Sequence, residues 1–283
     1  MWEFWKAVFF GIVEGVTEWL PVSSTGHIIL LNDFMPLNIS PAFYELFEIV
    51  IQLGAILAVI VLFFHKLNPF SPKKDDLQRK ETWHLWGKVV AAVLPSAVIG
   101  ILLDDPLDAF LQNTPVSGTT LNVIVVASAL IFYGIAFILV EKRNAGRSFA
   151  ITDVHNIDYK TALLIGAFQC LSLIPGTSRS GATILGAIFL GVSRSAGAEF
   201  SFFLAIPTML GASALKLLGF LLEGVQATST ELTALITGCL VSFLVSLVVV
   251  KALMEYVRRH SFAVFGVYRI ILGAVVLLYF TIF

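Results

Sequence analysis

The chain has 283 residues, of which 58% are hydrophobic and 13% charged, and its mean hydropathy is +0.90. This balance excludes an ordinary soluble domain and is typical of a membrane protein. The formal net charge of −1 gives no reason to expect a nucleic-acid partner, and the two cysteines lie in apolar stretches without the spacing of a disulfide framework or a metal site.

The first predicted elements are two short helices, at 5–20 and 22–31, separated by Pro21-Val22-Ser23-Ser24. A helix needs about 20 residues to cross the bilayer core. We therefore interpret the pair as a re-entrant helical hairpin, which enters the membrane and turns back. Glu14 and Glu18 interrupt its apolar run, which argues against a cleaved signal peptide.

Longer apolar segments follow this hairpin, and a second pair of short helices divides them. The predicted spans are 43–64, 84–103, 119–140, 197–222, 231–255 and 262–282. The second pair, 161–174 and 178–191, is separated by Pro175-Gly176-Thr177-Ser178. The predicted fold class is an all-α polytopic membrane protein with six transmembrane helices and two re-entrant helical hairpins.

The loop charges predict the sidedness of the protein. Loops 65–82 and 141–160 are rich in Lys and Arg, whereas loop 104–118 has neither. The acidic residues of that loop are Asp104, Asp105 and Asp108. The positive-inside rule places the basic loops in the cytoplasm and the acidic loop outside. If 161–191 re-enters rather than crosses, the later loops obey the rule as well, and both termini are external.

The two hairpins are similar in sequence. Residues 11–26 read GIVEGVTEWLPVSSTG, and residues 166–181 read GAFQCLSLIPGTSRSG. Each half then has one hairpin and three spans, and an odd number of spans inverts the second half. Gly54 and Gly211 occupy similar places in the span that follows each hairpin. We predict a single membrane domain, 1–283, with inverted repeats at approximately 1–141 and 159–283, whose hairpins enter from opposite faces and meet tip to tip.

Glu14, Glu18 and His27 are the candidate reactive groups of the first hairpin. The glutamates are four residues apart and share one helix face. Because a charge in the bilayer centre costs about 2.5–3.5 kcal/mol, the pair either ends a helix among headgroups or holds a cation or orients a base. A lone helix histidine is more often a packing residue, but an imidazole directly after Ser-Ser-Thr-Gly suits proton transfer or attack on phosphorus.

Arg179 is the candidate anion-binding group of the second hairpin, within PGTSRSGAT at 175–183. Amides at a helix N-terminus and a guanidinium bind phosphate oxygens. The neighbouring hydroxyl groups favour this function over an arginine that snorkels to headgroups. Gln52 and Gln169 are expected to line the same cavity or to bridge helices, and Arg269 to pair with an acid such as Glu199.

These motifs resemble the undecaprenyl-diphosphate phosphatase family, integral-membrane enzymes linked to bacitracin resistance. The similarity is carried by EGVTEWLPVSSTGH at 14–27 and PGTSRSGAT at 175–183, and it continues in FEIVIQLG at 47–54, GVSR at 191–194 and AEFSF at 198–202. The resemblance implies removal of the terminal phosphate from a C55 polyprenyl diphosphate in the bacterial cytoplasmic membrane. This reaction regenerates the monophosphate carrier for peptidoglycan and other envelope polymers, and the site would open to the external face.

With this resemblance, the predicted catalytic residues are Ser24, His27, Glu18 and Arg179. We prefer Ser24 over His27 as the nucleophile, with His27 as its base and later the acid. The predicted phosphate-binding residues are Ser23, Thr25, Gly176, Thr177, Ser178, Arg179, Ser180 and Thr183. Glu14 and Glu18 are the expected ligands of a divalent cation, Mg²⁺ or Ca²⁺.

The expected partners are the polyprenyl diphosphate substrate and membrane lipids, with no nucleic acid. Bacitracin resistance would arise indirectly, through consumption of the lipid diphosphate. The sequence leaves open whether the protein forms a homodimer. The alternative function is a transporter or flippase of the lipid phosphate that uses the same midplane site, because inverted repeats with broken helices are a common transporter construction.

Overall fold

The computed structural model describes residues 2–113, 115–116, 119–224 and 226–282, and their regular structure is almost entirely helical. The helices are α1 Trp2–Thr17, α2 Ser24–Phe34, α3 Pro41–Leu62, α4 Phe64–Leu67, α5 Asp76–Asn113, α6 Leu121–Asn144, α7 Tyr159–Gln169, α8 Arg179–Phe189, α9 Arg194–Leu222, α10 Ser229–Arg259 and α11 Ala263–Ile282. Short 3₁₀ turns cover Val154–Asn156 and Cys170–Leu173. Two strands of two residues each, β1 Pro115–Val116 and β2 Thr119–Thr120, pair antiparallel.

Six of these helices contain segments that are long and apolar enough to cross a membrane. The segments are Pro41–Leu62, Asp76–Leu103, Val123–Asn144, Arg194–Leu222, Ser229–Arg259 and Ala263–Ile282. They confirm the predicted multi-pass, all-α fold class and the six spans. The four short helices α1, α2, α7 and α8 also form where they were predicted, in two pairs, each interrupted at its proline-bearing segment.

The helix predicted at 84–103 is longer at both ends than the sequence suggested. It begins at Asp76 because 78–81 are good helix formers, and the Asp75 side chain accepts a hydrogen bond from the Gln78 amide at 2.8 Å. It continues to Asn113, so the first part of the predicted loop 104–118 is helical. The helix includes two prolines. Hydropathy detects the apolar residues that lie in the bilayer core. A helix can extend beyond them, because it continues as long as its backbone hydrogen bonds do. The side chains of Asp104, Asp105 and Asp108 lie outside the described part of the chain.

Close backbone contacts at glycines hold the helices together. Helix α1 packs along α10, and α7 packs along α5. A Cβ atom at Gly11 would lie 2.7 Å from the carbonyl oxygen of Gly238, and one at Gly166 would overlap the carbonyl of Ala92. Small residues of this kind drive helix association in membranes, where the apolar lipid offers no hydrophobic incentive.

A pair of glycines allows this packing to be tested. A Cβ atom at Gly54 would overlap the carbonyl of Cys239 on α10, whereas one at Gly211 would meet nothing within 4 Å. Gly54→Ala is therefore expected to lower the free energy of unfolding by about 1–3 kcal/mol. Gly211→Ala, the matched control, should be neutral or stabilising, because alanine has the higher helix propensity. Equal melting temperatures in detergent for the two variants would contradict the close contact of α3 with α10.

Trp19 anchors the end of α1 in the protein interior. Its side chain is fully buried and packs edge-on against Phe202 of α9, with ring centroids 5.1 Å apart. Phe200 and Phe203 on the same helix are also fully buried. The segment after α1 is therefore packed against α9.

Candidate active site

The interruptions of the two helix pairs lie against each other. We call them the first break, 18–23, and the second break, 170–178. The hydroxyl group of Ser180, the second residue of α8, donates a hydrogen bond to the backbone carbonyl oxygen of Glu18 at 3.0 Å. The same hydroxyl lies 3.4 Å from the carbonyl oxygen of Leu20. The start of α8 is thereby tied to the backbone of the first break.

Arg269 of α11 joins the two breaks from the other side. Its guanidinium, which is fully buried, donates to the carbonyl oxygen of Pro21 at 3.2 Å and to those of Gly176 and Thr177 at 2.8 and 2.9 Å. It also lies over the ring of Tyr133, 5.7 Å from the centroid. One buried cation therefore satisfies backbone carbonyls in both breaks, which have no helical partners of their own.

Two serines hold an unusual backbone conformation at equivalent points of the breaks. Ser23 has a φ of 71° and Ser178 a φ of 69°, and among the described residues no other non-glycine residue has a positive φ. Ser178 caps α8 by accepting a hydrogen bond from the Gly181 amide at 3.2 Å, whereas the Ser23 hydroxyl is buried without a partner in the described structure. Such backbone strain costs about 1–3 kcal/mol and concentrates at functional sites.

Arg179 forms an ion pair across the two breaks. Its Nη2 lies 3.0 Å from Oε1 of Glu18, and the two side chains are only 10% and 7% exposed. Nη1 donates to the carbonyl of Ser201 on α9 at 3.0 Å. Nε has no partner among the described residues. The guanidinium is thus fixed by protein contacts and keeps a donor for an anionic ligand.

The two carboxylates of α1 and the first break are neighbours, as their spacing predicted. Glu14 is 2% exposed, its carboxyl group lies beside that of Glu18 and near that of Glu48, and its Oε1 has no hydrogen-bond partner in the described structure. Mg²⁺ is commonly held by one or two carboxylates together with water and substrate phosphate oxygens. The unsatisfied oxygen fits such an ion, although the described residues contain no group of three or more Asp, Glu, His or Cys side chains placed to hold a metal ion together.

No hydrogen bond joins the side chains of His27 and Ser24, contrary to the predicted pairing. Its Nδ1 lies 2.7 Å from the carbonyl of Ser23, one helical turn before it, and its Nε2 lies 2.6 Å from the hydroxyl of Tyr268. Ser24 Oγ instead donates a long hydrogen bond, 3.4 Å, to Oε2 of Glu18. The helical i to i−4 geometry turns the imidazole toward Ser23, so that Glu18 is the proton acceptor next to the Ser24 hydroxyl.

Known proteins of similar sequence indicate the family of this chain. The family model described as bacitracin resistance protein BacA matches residues 7–275. The chain belongs to this family. It is 54% identical over 275 residues to the undecaprenyl-diphosphatase of Enterococcus faecalis (strain ATCC 700802 / V583), an alignment that covers 97% of this chain and 96% of the relative. It is 56% identical over 278 residues to undecaprenyl-diphosphatase 1 of Clostridioides difficile (strain 630), covering 98% and 96% of the two chains.

Several predicted phosphate-binding residues of this BacA-family chain contact protein atoms instead of facing an open site. Thr177, Ser180 and Thr183 are fully buried. Thr183 Oγ1 pairs with the Ser201 hydroxyl at 2.6 Å and donates to the carbonyl of Arg179 at 2.9 Å. Thr25, by contrast, is exposed at the start of α2. The buried hydroxyl groups of Ser180 and Thr183 hold the start of α8 in place, and Arg179, Ser24 and Thr25 are left to face a ligand.

Gln52 and Gln169 were predicted to line the cavity or to bridge helices, and Gln169 bridges helices. This residue is 1% exposed, and its Nε2 donates to the hydroxyl groups of Ser96 at 2.6 Å and Thr208 at 3.2 Å. Two cavities among the described residues have volumes of about 420 and 460 Å³, and neither of these is lined by Gln52 or Gln169. The larger one is lined by Ile29, Asn32, Asp33, Pro36, Tyr44, Glu48, Val123 and Phe280, and it adjoins the carboxylates because Glu48 lies near Glu14.

Sequence reasoning missed Tyr268 and the true role of Arg269. The expected Arg269–Glu199 ion pair is wrong, because Glu199 pairs with Lys66 at 2.6 Å and Arg269 binds backbone carbonyls. The sequence contained a signal for these residues, because Tyr268 and Arg269 lie side by side within an apolar span. An ionisable residue inside a span is a functional candidate by default. Ser201, which contacts both Arg179 and Thr183, gave no comparable signal.

Proposed function

We propose that this chain hydrolyses undecaprenyl diphosphate to undecaprenyl phosphate and inorganic phosphate, which recycles the lipid carrier for peptidoglycan and other envelope polymers. The observation that carries the proposal is the position of Arg179 against Glu18, with Ser24 beside them, inside a bundle of apolar helices. The names of the relatives as undecaprenyl-diphosphatases support the same substrate. A lipid diphosphate needs both an apolar route for its chain and a cationic site for its head group.

The proposed chemistry begins with attack by Ser24 Oγ on the terminal phosphorus. The hydroxyl proton passes to Oε2 of Glu18, which accepts its hydrogen bond in the structure. The phosphoanhydride bond breaks and undecaprenyl phosphate leaves. Phosphoryl transfer depends mainly on positioning and charge neutralisation, and the guanidinium of Arg179 provides both.

The second step is hydrolysis of the phosphoserine. His27 follows Ser24 by three residues on the same helix, so its imidazole is adjacent to a phosphate on that serine. We assign it as the base that takes a proton from the attacking water. The bond between phosphorus and Ser24 Oγ breaks, Oγ takes back the proton held by Glu18, and inorganic phosphate is released with the Ser24 hydroxyl restored.

A divalent cation fits the carboxylate pair of this site. Glu14 and Glu18 would hold Mg²⁺ or Ca²⁺, and the unsatisfied Oε1 of Glu14 supports that assignment. Such an ion, when bound, neutralises negative charge on the diphosphate. The cavity lined by Glu48 and Asp33 would admit the hydrated head group.

We also propose that the two helix pairs are re-entrant hairpins of inverted repeats, 1–141 and 159–283, in one membrane domain. The packing partners support this, because α1 with α10 corresponds to α7 with α5, and α3 with α10 corresponds to α9 with α5. The equivalent strained serines support it as well. Because the basic loops favour the cytoplasmic side, we propose that both termini and the opening of the site lie on the external face of the cytoplasmic membrane.

Phosphate release from undecaprenyl diphosphate by detergent-purified protein tests the proposal and the nucleophile together. Ser24→Ala is expected to lower kcat by about 10²-fold or more, because the covalent step is lost. Ser148→Ala, an exposed serine outside the site, should retain the native rate. An acid-labile phosphoenzyme in place of an acid-stable one would identify His27 as the nucleophile. No phosphate release by the native protein with Mg²⁺ or Ca²⁺ would favour the transporter function.

A further inference from the structure

Tyr268 of α11 contacts the candidate catalytic histidine directly. Its hydroxyl lies 2.6 Å from Nε2 of His27. The two rings are stacked, with an interplanar angle of 8° and centroids 5.6 Å apart. The next residue in the chain is Arg269, which is fixed to the carbonyls of both breaks. The position of the Tyr268 side chain is therefore coupled to the framework of the site.

The partners of the two ring nitrogens determine the tautomer of His27. The Ser23 carbonyl, 2.7 Å from Nδ1, can only accept a hydrogen bond. A neutral imidazole consequently carries its proton on Nδ1, and Nε2 becomes an acceptor. The Tyr268 hydroxyl is then the donor to Nε2. Both nitrogens are assigned by their surroundings, and the stacked ring restricts rotation of the imidazole.

The orientation leaves Nε2 as the nitrogen that can react. Nδ1 faces the backbone of its own helix, so that no ligand can reach it without breaking that contact. The Tyr268 side chain is 44% exposed, and a water, which can donate to Nε2, can replace its hydroxyl there without moving the stacked rings.

We propose that Tyr268 is a positioning residue, whose hydroxyl donates to Nε2 of the Nδ1–H tautomer that Ser23 sets and holds the imidazole with Nε2 directed toward water. The inference rests on the proposed phosphatase function for its kinetic consequence. The tautomer of the resting protein follows from the geometry alone. In the free protein the phenol hydroxyl occupies the place of the atom that Nε2 contacts during hydrolysis.

Two substitutions separate the hydrogen bond from the stacking. Tyr268→Phe keeps the ring and removes the hydroxyl, whereas Tyr268→Leu removes both. Tyr256→Phe is the matched control, because Tyr256 also stacks on a histidine, His260, at 4.6 Å, but that imidazole contacts the Tyr256 carbonyl instead of its hydroxyl. All three variants are made in the full chain and compared with the native protein.

We expect Tyr268→Phe to lower kcat by about 10-fold, at the lower end of the range for residues that orient a catalytic histidine. KM should change little, since the phosphate-binding groups are untouched. Tyr268→Leu should lower kcat further, and Tyr256→Phe should match the native protein. In ¹⁵N spectra of labelled histidine, His27 should keep its Nδ1–H signal in Tyr268→Phe, because Ser23 holds it, and its Nε2 signal should shift because the phenol donor is lost.

An unchanged kcat together with an unchanged His27 nitrogen pattern in Tyr268→Phe would overturn the proposal. A lower kcat accompanied by a lower melting temperature, with the Nε2 signal unchanged, would also overturn it in favour of a purely structural role. If the native protein releases no phosphate, the proposed function fails, and the nitrogen spectra still decide whether Tyr268 donates to Nε2.

Discussion

Replacing Arg179 with lysine is expected to lower kcat for phosphate release by about 10²- to 10³-fold, the loss seen when one preorganised donor to a transition state is removed. The guanidinium pairs with Glu18 and the Ser201 carbonyl at the same time and keeps Nε free. A lysine ammonium is a single point charge and cannot make both contacts while it also offers a directed donor to the phosphate. Steady-state phosphate release in detergent measures the effect.

The control for this substitution is Arg258→Lys. Arg258 lies exposed at the end of α10, where it is 3.9 Å from Glu255, and its replacement should leave the rate unchanged. Glu18→Gln provides a second comparison, because it removes the fixed partner of Arg179 and the proton acceptor of Ser24 together. Native activity in Arg179→Lys would show that charge alone is sufficient and would refute the directed-donor role.

Replacing Arg269 with methionine is expected to lower the free energy of unfolding by about 3–5 kcal/mol, comparable to removal of one partner from a buried ionic contact. Its guanidinium donates to three backbone carbonyls in the two breaks. Methionine fills a similar volume but leaves those carbonyls without a donor in the interior. Phosphate release should also be lost, since the breaks would no longer be held together.

Thermal unfolding in detergent, followed with phosphate release, measures both effects of Arg269→Met. Arg259→Met is the control, because Arg259 is exposed and pairs with Glu255 on the surface of α10. Arg269→Lys should fall between the native protein and Arg269→Met, since an ammonium reaches some but not all of the carbonyls. If Arg269→Met melts at the native temperature, the buried guanidinium does not stabilise the contact between the breaks.

The spans and both breaks could be predicted because their causes are local in the sequence. About 20 apolar residues match the thickness of the bilayer core, and a proline followed by a run of turn-forming residues, as at Pro21 and Pro175, favours the end of a helix. The glutamate pair followed from the helical period of 3.6 residues. The length of α5 could not be predicted in this way, because its ends at Asp76 and Asn113 lie beyond the apolar window that hydropathy detects.

The sequence by itself determined that this is a six-span helical membrane protein, and its two motifs identified Glu14, Glu18, Ser24, His27 and Arg179 as the candidate reactive groups. Only the tertiary structure decided which of these groups contact one another. Arg179 and Glu18 lie 161 positions apart, and His27 and Tyr268 lie 241 positions apart. Hydrophobic length and helical period act within a few turns of the chain, whereas the partner of a polar side chain depends on which distant helices pack beside it.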